Sequence, residues 1–283
     1  MENVRKHYND QKMKNVTERM QTEAYLIRRI NNNIKYKLID EYLPSNAFVL
    51  DLAAGKGGDL YKYAGKTVKL YYGLDISNLS LLEVAERYKK RPVDYICRFK
   101  IQDCFGVHFD LETNFDFISC QFSFHYAFYS RETALTAISN VIKHMAYKSY
   151  FVMTVPMKSE ICKRFRQNNY KNSLYGLKAS THTLKAIKEN AEYDDNKIFG
   201  LAYKFNLKDS IEDCEEYMVD DRFIKEQFKK KGCELVEHIS FENFCKIHGG
   251  NHHKNNLADE YYKLTDVEKE VVSLYQIFIF QRL

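Results

Sequence analysis

Residues 48–60, Phe-Val-Leu-Asp-Leu-Ala-Ala-Gly-Lys-Gly-Gly-Asp-Leu, constrain what this chain can fold into more than any other stretch. Phe48, Val49, Leu50 and Leu52 are apolar and only Asp51 interrupts them, the pattern of a central parallel strand covered on both faces. Gly55, Gly57 and Gly58 follow, in a loop whose backbone can turn sharply and approach a ligand where a Cβ would obstruct it. Asp59 falls where the next helix should begin, which disfavours a pyrophosphate there and favours a cation or an amine. The spacing Gly-x-Gly-Gly is neither the Gly-x-Gly-x-x-Gly of dinucleotide folds nor the Gly-Lys-Ser/Thr ending of a P-loop. Taken alone, the loop is equally compatible with a glycine-containing turn that holds no ligand.

A second apolar run, residues 69–75, ends in Asp75, about twenty residues past the loop, the separation of a carboxylate that grips ribose hydroxyls. Ser77 is placed to cap a helix whose apolar positions Leu79, Leu82 and Tyr88 recur at helical spacing. A third strand, residues 98–102, leads to Asp103, and a fourth, residues 115–120, leads into Gln121-Phe-Ser-Phe-His-Tyr126. Asp51, Asp75 and Asp103 therefore line one edge of a parallel sheet, where open α/β sheets bind ligands. Acids there suit ribose hydroxyls, an exocyclic adenine amine and a methionine ammonium, and they do not suit a phosphate. That chemistry points to S-adenosylmethionine as the cofactor, ahead of NAD or ATP.

With three Pro and eleven Gly in 283 residues there is little linker material, so the chain reads as one domain with an insertion. Residues 1–45 are a helical lead-in, with Ile27, Ile30, Ile34, Leu38 and Ile39 on the buried face of a helix over residues 16–42. Residues 46–157 are the cofactor-binding core, whose fifth strand, residues 149–155, is stopped by Pro156. Residues 158–220 break the αβ alternation with a polar helix, a Lys- and Asn-rich stretch and a hairpin-like run over residues 198–207, and are read as a lid. Residues 221–283 complete the sheet through a helix over 221–231 and strands over 233–239 and 274–280.

The net charge of +5 suits an anionic substrate without implying tight nonspecific nucleic-acid binding. No apolar run approaches membrane-spanning length and no signal peptide opens the chain. The seven cysteines show no C-x-x-C pairing and read as reduced core thiols of a cytosol-like compartment. His248-Gly-Gly-Asn-His-His253 carries metal-capable side chains, but with no Cys pair to complete a tetrahedral set it reads as a loop, and no metal is expected.

The chain resembles the eukaryotic and viral mRNA cap guanine-N7 methyltransferases. The matching pieces are His7-Tyr-Asn9, Arg29-Ile-Asn-Asn-Asn-Ile-Lys35, the loop of residues 49–60, Gly73-Leu-Asp-Ile-Ser77, Glu86-Arg-Tyr88, Cys120-Gln-Phe-Ser-Phe-His-Tyr126, Phe199-Gly-Leu-Ala-Tyr-Lys-Phe-Asn-Leu207, Glu216-Tyr-Met-Val219 and Ser273-Leu-Tyr-Gln-Ile-Phe-Ile-Phe280. They occur in family order over nearly the whole length. The resemblance implies a Rossmann-like S-adenosylmethionine-dependent methyltransferase, an α/β fold with a seven-stranded, mostly parallel sheet, helices on both faces and a cap-binding lid.

It also implies roles. Lys35 and Asp59 hold the methionine end of the cofactor, Ala53, Gly55 and Ile76 line it, Asp75 takes the ribose and Asp103 the adenine. Gln121 and Tyr126 wall the transfer site. Asn31, Asn32, His125, Glu216 and Tyr275 match cap-binding positions, and Lys56, Lys62 and Arg87 match positions near the cap phosphates. The implied partner is 5′-capped mRNA, with a monomeric domain. Three residues depart from the pattern: Ala53 and Ala54 replace the usual Gly and Cys, and Asn33 replaces an aromatic. The methyl of Ala53 is expected to be tolerated through a negative φ. The Ala-Ala loop and the start close to the catalytic core look like the methyltransferase segment of multifunctional capping enzymes of large cytoplasmic DNA viruses, African swine fever virus among them. That resemblance implies linked triphosphatase and guanylyltransferase domains and action in the host cytoplasm and virion; a cellular member would be nuclear.

Guanine N7 has an in-plane lone pair and no proton, so methyl transfer to it requires alignment and water exclusion and no general base. His125 is accordingly expected to position the base together with Tyr126, and Glu216 to face the guanine N1–H and N2 edge. Two plainer possibilities stand beside this: His125 as a satisfied core histidine, and Glu216 as part of a solvated acidic run from Glu212. A methyltransferase for a small molecule or another RNA position, or a noncatalytic RNA-binding scaffold, are the alternatives in function.

Overall fold

The structure, a computed structural model, describes residues 5, 9, 20–191, 194, 197–248 and 256–283. The first four residues of the expected lead-in helix, His7 and Tyr8 of the first motif, and residues 249–253 of the histidine loop lie outside the described residues.

Seven strands form the main sheet: β1 (Ala47–Leu52), β2 (Val68–Asp75), β3 (Ile96–Ile101), β4 (Phe115–Gln121) and β5 (Met145–Pro156), then β9 (Cys233–Ser240) and β10 (Tyr275–Arg282). Their order is β3-β2-β1-β4-β5-β10-β9; β10 runs antiparallel to both its neighbours and the pairs among β1–β5 are parallel. The strand order reverses between β1 and β4, which opens a crevice at their carboxyl ends. β1 and β4 are buried on both faces, which is why their sequences read as apolar runs.

The helix Tyr25–Tyr42 has Ile27, Ile30, Ile34, Leu38 and Ile39 all buried, as their spacing predicts. Ser77 caps the helix Asn78–Lys90 by accepting from the Ser80 amide. That helix, however, buries Ser80, Leu81 and Val84, while Leu79 and Leu82 are 44% and 60% exposed. Apolar residues at 79 and 82 share helical spacing, but the face that meets β2 and β3 is set by Val84, and Leu79 and Leu82 fall outside it. Asp59 opens only a 3-10 turn, Leu60–Tyr63, in place of the expected helix. Strands β3 and β5 begin two and four residues earlier than expected.

Residues 158–220 differ most from expectation. They contain a second, three-stranded antiparallel sheet, β6 (Tyr175–Ala179), β7 (Ala202–Leu207) and β8 (Ile211–Tyr217), with the helices Lys158–Arg166 and Thr181–Lys188. The hairpin is formed by β7 with β8, not within residues 198–207. The acidic residues from Glu212 are thus strand residues, of which Glu212, Asp213 and Glu215 are exposed and Glu216 alone is buried.

Candidate active site

Two cavities lie side by side under the helix Tyr25–Tyr42. The first, about 230 Å³, is lined by the loop after β1 (Ala53, Ala54, Gly55, Gly58, Asp59), by Asp75 and Ile76, by residues 102–105, by Gln121, Ser123 and Tyr126, and by Lys35 from the helix. The second, about 280 Å³, is lined by Arg28, Asn31, His125, Cys214, Glu216 and Tyr275 together with apolar side chains. Phe122 lines both.

In the first cavity Asp75 uses both carboxylate oxygens on the backbone. Oδ2 accepts from the Gly55 amide (2.7 Å) and Oδ1 from the Ser77 amide (2.8 Å). The loop is thereby tied to the end of β2, and each oxygen keeps a second lone pair for a hydroxyl donor. Burial raises the Asp75 pKa, with these amides opposing the rise. Asp103 Oδ1 accepts from the Phe105 and Gly106 amides (3.0 and 2.8 Å), which fixes that carboxylate beside the same cavity.

Asp59 Oδ1 lies 2.6 Å from Lys35 Nζ and 2.9 Å from Lys62 Nζ, at ion-pair distance though off the line of an ideal hydrogen bond. Burial opposes ionisation of Asp59, but the two ammonium groups outweigh it and hold its pKa below the ordinary carboxylate range. Asp51 lies deeper, takes a hydrogen bond from Tyr71 Oη (2.6 Å), and is pushed up to about 7 by burial and then by the charge of Asp59. Gln121 Oε1 is buried without a hydrogen-bond partner among the described residues. Three buried carboxylates, two ammonium groups and an unpartnered amide oxygen suit a ligand carrying hydroxyls, an amine and a carboxylate.

Ala53 adopts φ +56°, so the condition of a negative φ is not met: the methyl sits in the left-handed region and the strain is borne by the loop. Gly55 and Gly57 are also left-handed, at +53° and +67°. A Cβ at Gly57 would meet Val84 at 3.0 Å, so this glycine is needed for both its conformation and its packing.

In the second cavity, His125 is 2% exposed and neither ring nitrogen has a hydrogen-bond partner among the described residues. Its Nε2 lies 3.9 Å from Glu216 Oε1, too far for a hydrogen bond. Burial lowers its pKa to about 3, so the ring is neutral. Glu216 is held on its other oxygen by Tyr203 Oη at 2.6 Å, and burial raises its pKa to about 7 against that hydrogen bond. Asn31 Oδ1 is also buried without a partner among the described residues. Each unpaired buried polar group costs roughly 1–3 kcal/mol, and three of them face one cavity. A satisfied core histidine and a solvated glutamate are both excluded by these placements.

Over residues 1–283 the chain matches the mRNA (guanine-N(7))-methyltransferase domain family. The chain belongs to the mRNA cap guanine-N7 methyltransferase family. It is 33% identical over 256 residues to the mRNA cap guanine-N(7) methyltransferase of Saccharomyces cerevisiae, covering 85% of this chain and 58% of that one. The Candida glabrata relative of the same name is 30% identical over 315 residues, covering 99% and 72%. The chain thus spans little more than half of the yeast relative. Among solved structures, an S-adenosylmethionine-dependent methyltransferase from Clostridium acetobutylicum superposes with a TM-score of 0.56 at 13% identity, over 92% of this chain and 95% of that one. This shows the Rossmann-like methyltransferase fold.

The family's remaining cap positions divide. Asn31, His125, Glu216 and Tyr275 meet in the second cavity, where Tyr275 packs edge-on against Phe122 with ring centres 5.2 Å apart. Asn32 does not join them; its Oδ1 accepts from Lys62 Nζ at 3.0 Å. Lys62 is 6% exposed and engaged with Asp59, so it is enclosed where an open phosphate contact was expected. Lys56 pairs with Glu83 at 2.8 Å, and Arg87 lies on the helix Asn78–Lys90, its carbonyl accepting from Tyr61 Oη. Both stand outside the two cavities. Phe122 and Tyr203 were not singled out from the sequence. The alternation of β7 opposite β8 puts Tyr203 directly across from Glu216 and would have found it.

Proposed function

We propose that this protein transfers the methyl group of S-adenosylmethionine to N7 of the guanine cap of mRNA. The observation that carries the reading is the shared wall: Phe122 separates a carboxylate-lined cavity from one in which His125 and Asn31 present unsatisfied polar atoms beside the buried Glu216. When bound, S-adenosylmethionine supplies an electrophilic methyl on a positively charged sulfur. Asp75 is the ribose ligand and Asp103 the adenine ligand, while Lys35 and Asp59 bracket the amino-acid end. Glu216 accepts from the guanine N1–H and N2 edge, and its charge favours the cation that the base becomes on methylation. His125, neutral at physiological pH, and Asn31 orient the base; no residue takes a proton, because N7 has none to give. The helix Tyr25–Tyr42 contributes Lys35 to one cavity and Asn31 to the other, and the protein's task is alignment of the two ligands.

Residues 158–220 serve in this reading as the lid, since β8 carries Glu216 into the guanine cavity. The substrate is 5′-capped mRNA, and the domain works as a monomer. The finer reading, a segment of a viral capping enzyme acting in the host cytoplasm beside triphosphatase and guanylyltransferase domains, rests on the Ala53-Ala54 loop. Triphosphatase and guanylyltransferase assays on the natural polypeptide test it. The activity itself is tested with labelled S-adenosylmethionine and GpppA- or m7GpppA-capped RNA followed by cap digestion. Label is expected in m7GpppA from the first substrate alone. Equal labelling of both, or of free nucleosides, would refute N7 specificity.

A further inference from the structure

Among the described residues Phe122 is the one that lines both cavities, and its backbone is strained. Its φ is +57°, in the left-handed region that costs a residue with a side chain roughly 1–2 kcal/mol. It follows directly on Gln121, the last residue of β4, and turns the chain into the 3-10 segment Phe124–Tyr129 that carries His125 and Tyr126. Such a conformation persists only when its surroundings over-determine it.

The surroundings do so from β5. The Phe122 amide donates to both the carbonyl and the hydroxyl of Thr154, each at 3.0 Å. Thr154 is fully buried, pairs in register with Gln121 on β4, and is flanked on its other side by Ile277 of β10. It is therefore anchored at the middle of the sheet. The carbonyl of any residue at position 154 could accept from the amide, whereas the second acceptor requires a hydroxyl. With the backbone so held, the Phe122 ring stands edge-on to Phe241 (5.7 Å) and Tyr275 (5.2 Å), with Lys35 Nζ 6.0 Å from its centre. The ring is thus in contact with the guanine cavity on one side and with a lysine of the cofactor cavity on the other.

We propose that Thr154 is a positioning residue: its hydroxyl, by pinning the left-handed Phe122, sets the wall between the two cavities and so the alignment of methyl donor and guanine. This rests on the assignment of the two cavities given above. Alignment enters the turnover step and not the separate binding of either ligand, so the effect belongs in kcat. Thr154→Val preserves shape and carbonyl but removes the second acceptor, whereas Thr154→Ser keeps it.

The test measures kcat on GpppA-capped RNA, with binding of S-adenosylmethionine and of GpppA followed separately by calorimetry. Thr154→Val is expected to lower kcat about tenfold with both affinities within about twofold of wild type, and Thr154→Ser to stay within about threefold of wild-type kcat. In a Phe122→Ala background, where there is no ring to place, Thr154→Val should lower kcat no further. Should Thr154→Val not fold, Thr154→Ala, which also lacks the hydroxyl, is read against Thr154→Ser in the same way. Wild-type kcat in a folded variant without the hydroxyl, a Ser variant as impaired as that variant, or full additivity with Phe122→Ala overturns the proposal. Failure of wild-type protein to methylate GpppA would instead overturn the function assigned above.

Discussion

Replacing Glu216 by Gln should make the folded protein more stable and the enzyme worse, with a stability gain that depends on pH. The Glu216 carboxyl is fully buried and ionises at about 7, against an ordinary value of 4.5. Between those two values the folded chain holds a proton that the unfolded chain has released. Folding stability therefore falls as pH rises through that window, and the ionised side chain costs the folded state about 3 kcal/mol well above pH 7. Gln removes this penalty while its carbonyl still accepts from Tyr203 Oη, and its amide can donate to the neutral His125 ring nearby. Asp51 and Asp75, whose pKa values are also raised, are common to both proteins and cancel in the comparison. Urea unfolding at pH 5 and pH 8 should show the stability gap between variant and wild type widening by about 2.5 kcal/mol at the higher pH. In the same protein kcat/KM on GpppA-capped RNA should drop by about 2–4 kcal/mol of transition-state stabilisation, because the charge that opposes folding is the one the methylated base needs. A gap that is equal at the two pH values would show that Glu216 ionises normally and refute the reasoning.

Asp75→Ala should weaken S-adenosylmethionine binding by about 1.5–3 kcal/mol in calorimetry, since it removes a charged acceptor and releases the Gly55 amide from the loop; unchanged affinity would remove Asp75 from the cofactor site. Ala53→Gly should stabilise the protein by about 0.5–1 kcal/mol in chemical denaturation, the relief of a left-handed alanine less the entropy glycine loses on folding; a destabilised variant would contradict that backbone. His125→Ala should slow turnover while leaving the shape of the pH–rate profile between about pH 6 and 8 unchanged, because the ring it removes is neutral throughout that range. Loss of a limb near pH 6.5 would assign the histidine a proton-transfer role.

The main sheet was legible because its central strands β1 and β4, and β10, are buried on both faces and its strand ends carry the acids. Asp51 and Asp75 close or nearly close β1 and β2, Asp103 follows β3, and all three line the cofactor cavity. The second sheet was not legible, since its β7 and β8 line the second cavity through Leu207, Ile211, Cys214 and Glu216 while other residues of its strands face solvent. Their sequences mix Lys, Asn, Asp and Glu with apolar residues in too short a run for alternation to stand out. The inverted orientation of Leu79 and Leu82 has a related cause. Helical spacing identifies a stripe, but which stripe is buried depends on what the neighbouring strands offer, and here Val84 fills that contact.

The site divides along the same line. Positions defined by backbone turns, such as Gly55 and Asp75, follow from local pattern alone, because the loop and the strand end that bind it are neighbours in the same βα unit. The second cavity has no such local origin. It draws Asn31 from the helix Tyr25–Tyr42, His125 from the turn after β4, Glu216 from β8 and Tyr275 from β10, segments separated by tens to hundreds of residues. Each taken alone reads as an ordinary residue of its element. What distinguishes them is lining one cavity together, with the Asn31 oxygen and both His125 nitrogens lacking hydrogen-bond partners among the described residues, a property of the assembled packing that no single segment of sequence carries. The same holds for Phe122 and Thr154, whose relation exists only once β4 and β5 are paired. The loop and strand ends of the first cavity are thus readable from pattern, whereas a cavity assembled between two sheets becomes readable only when its unsatisfied polar atoms can be counted.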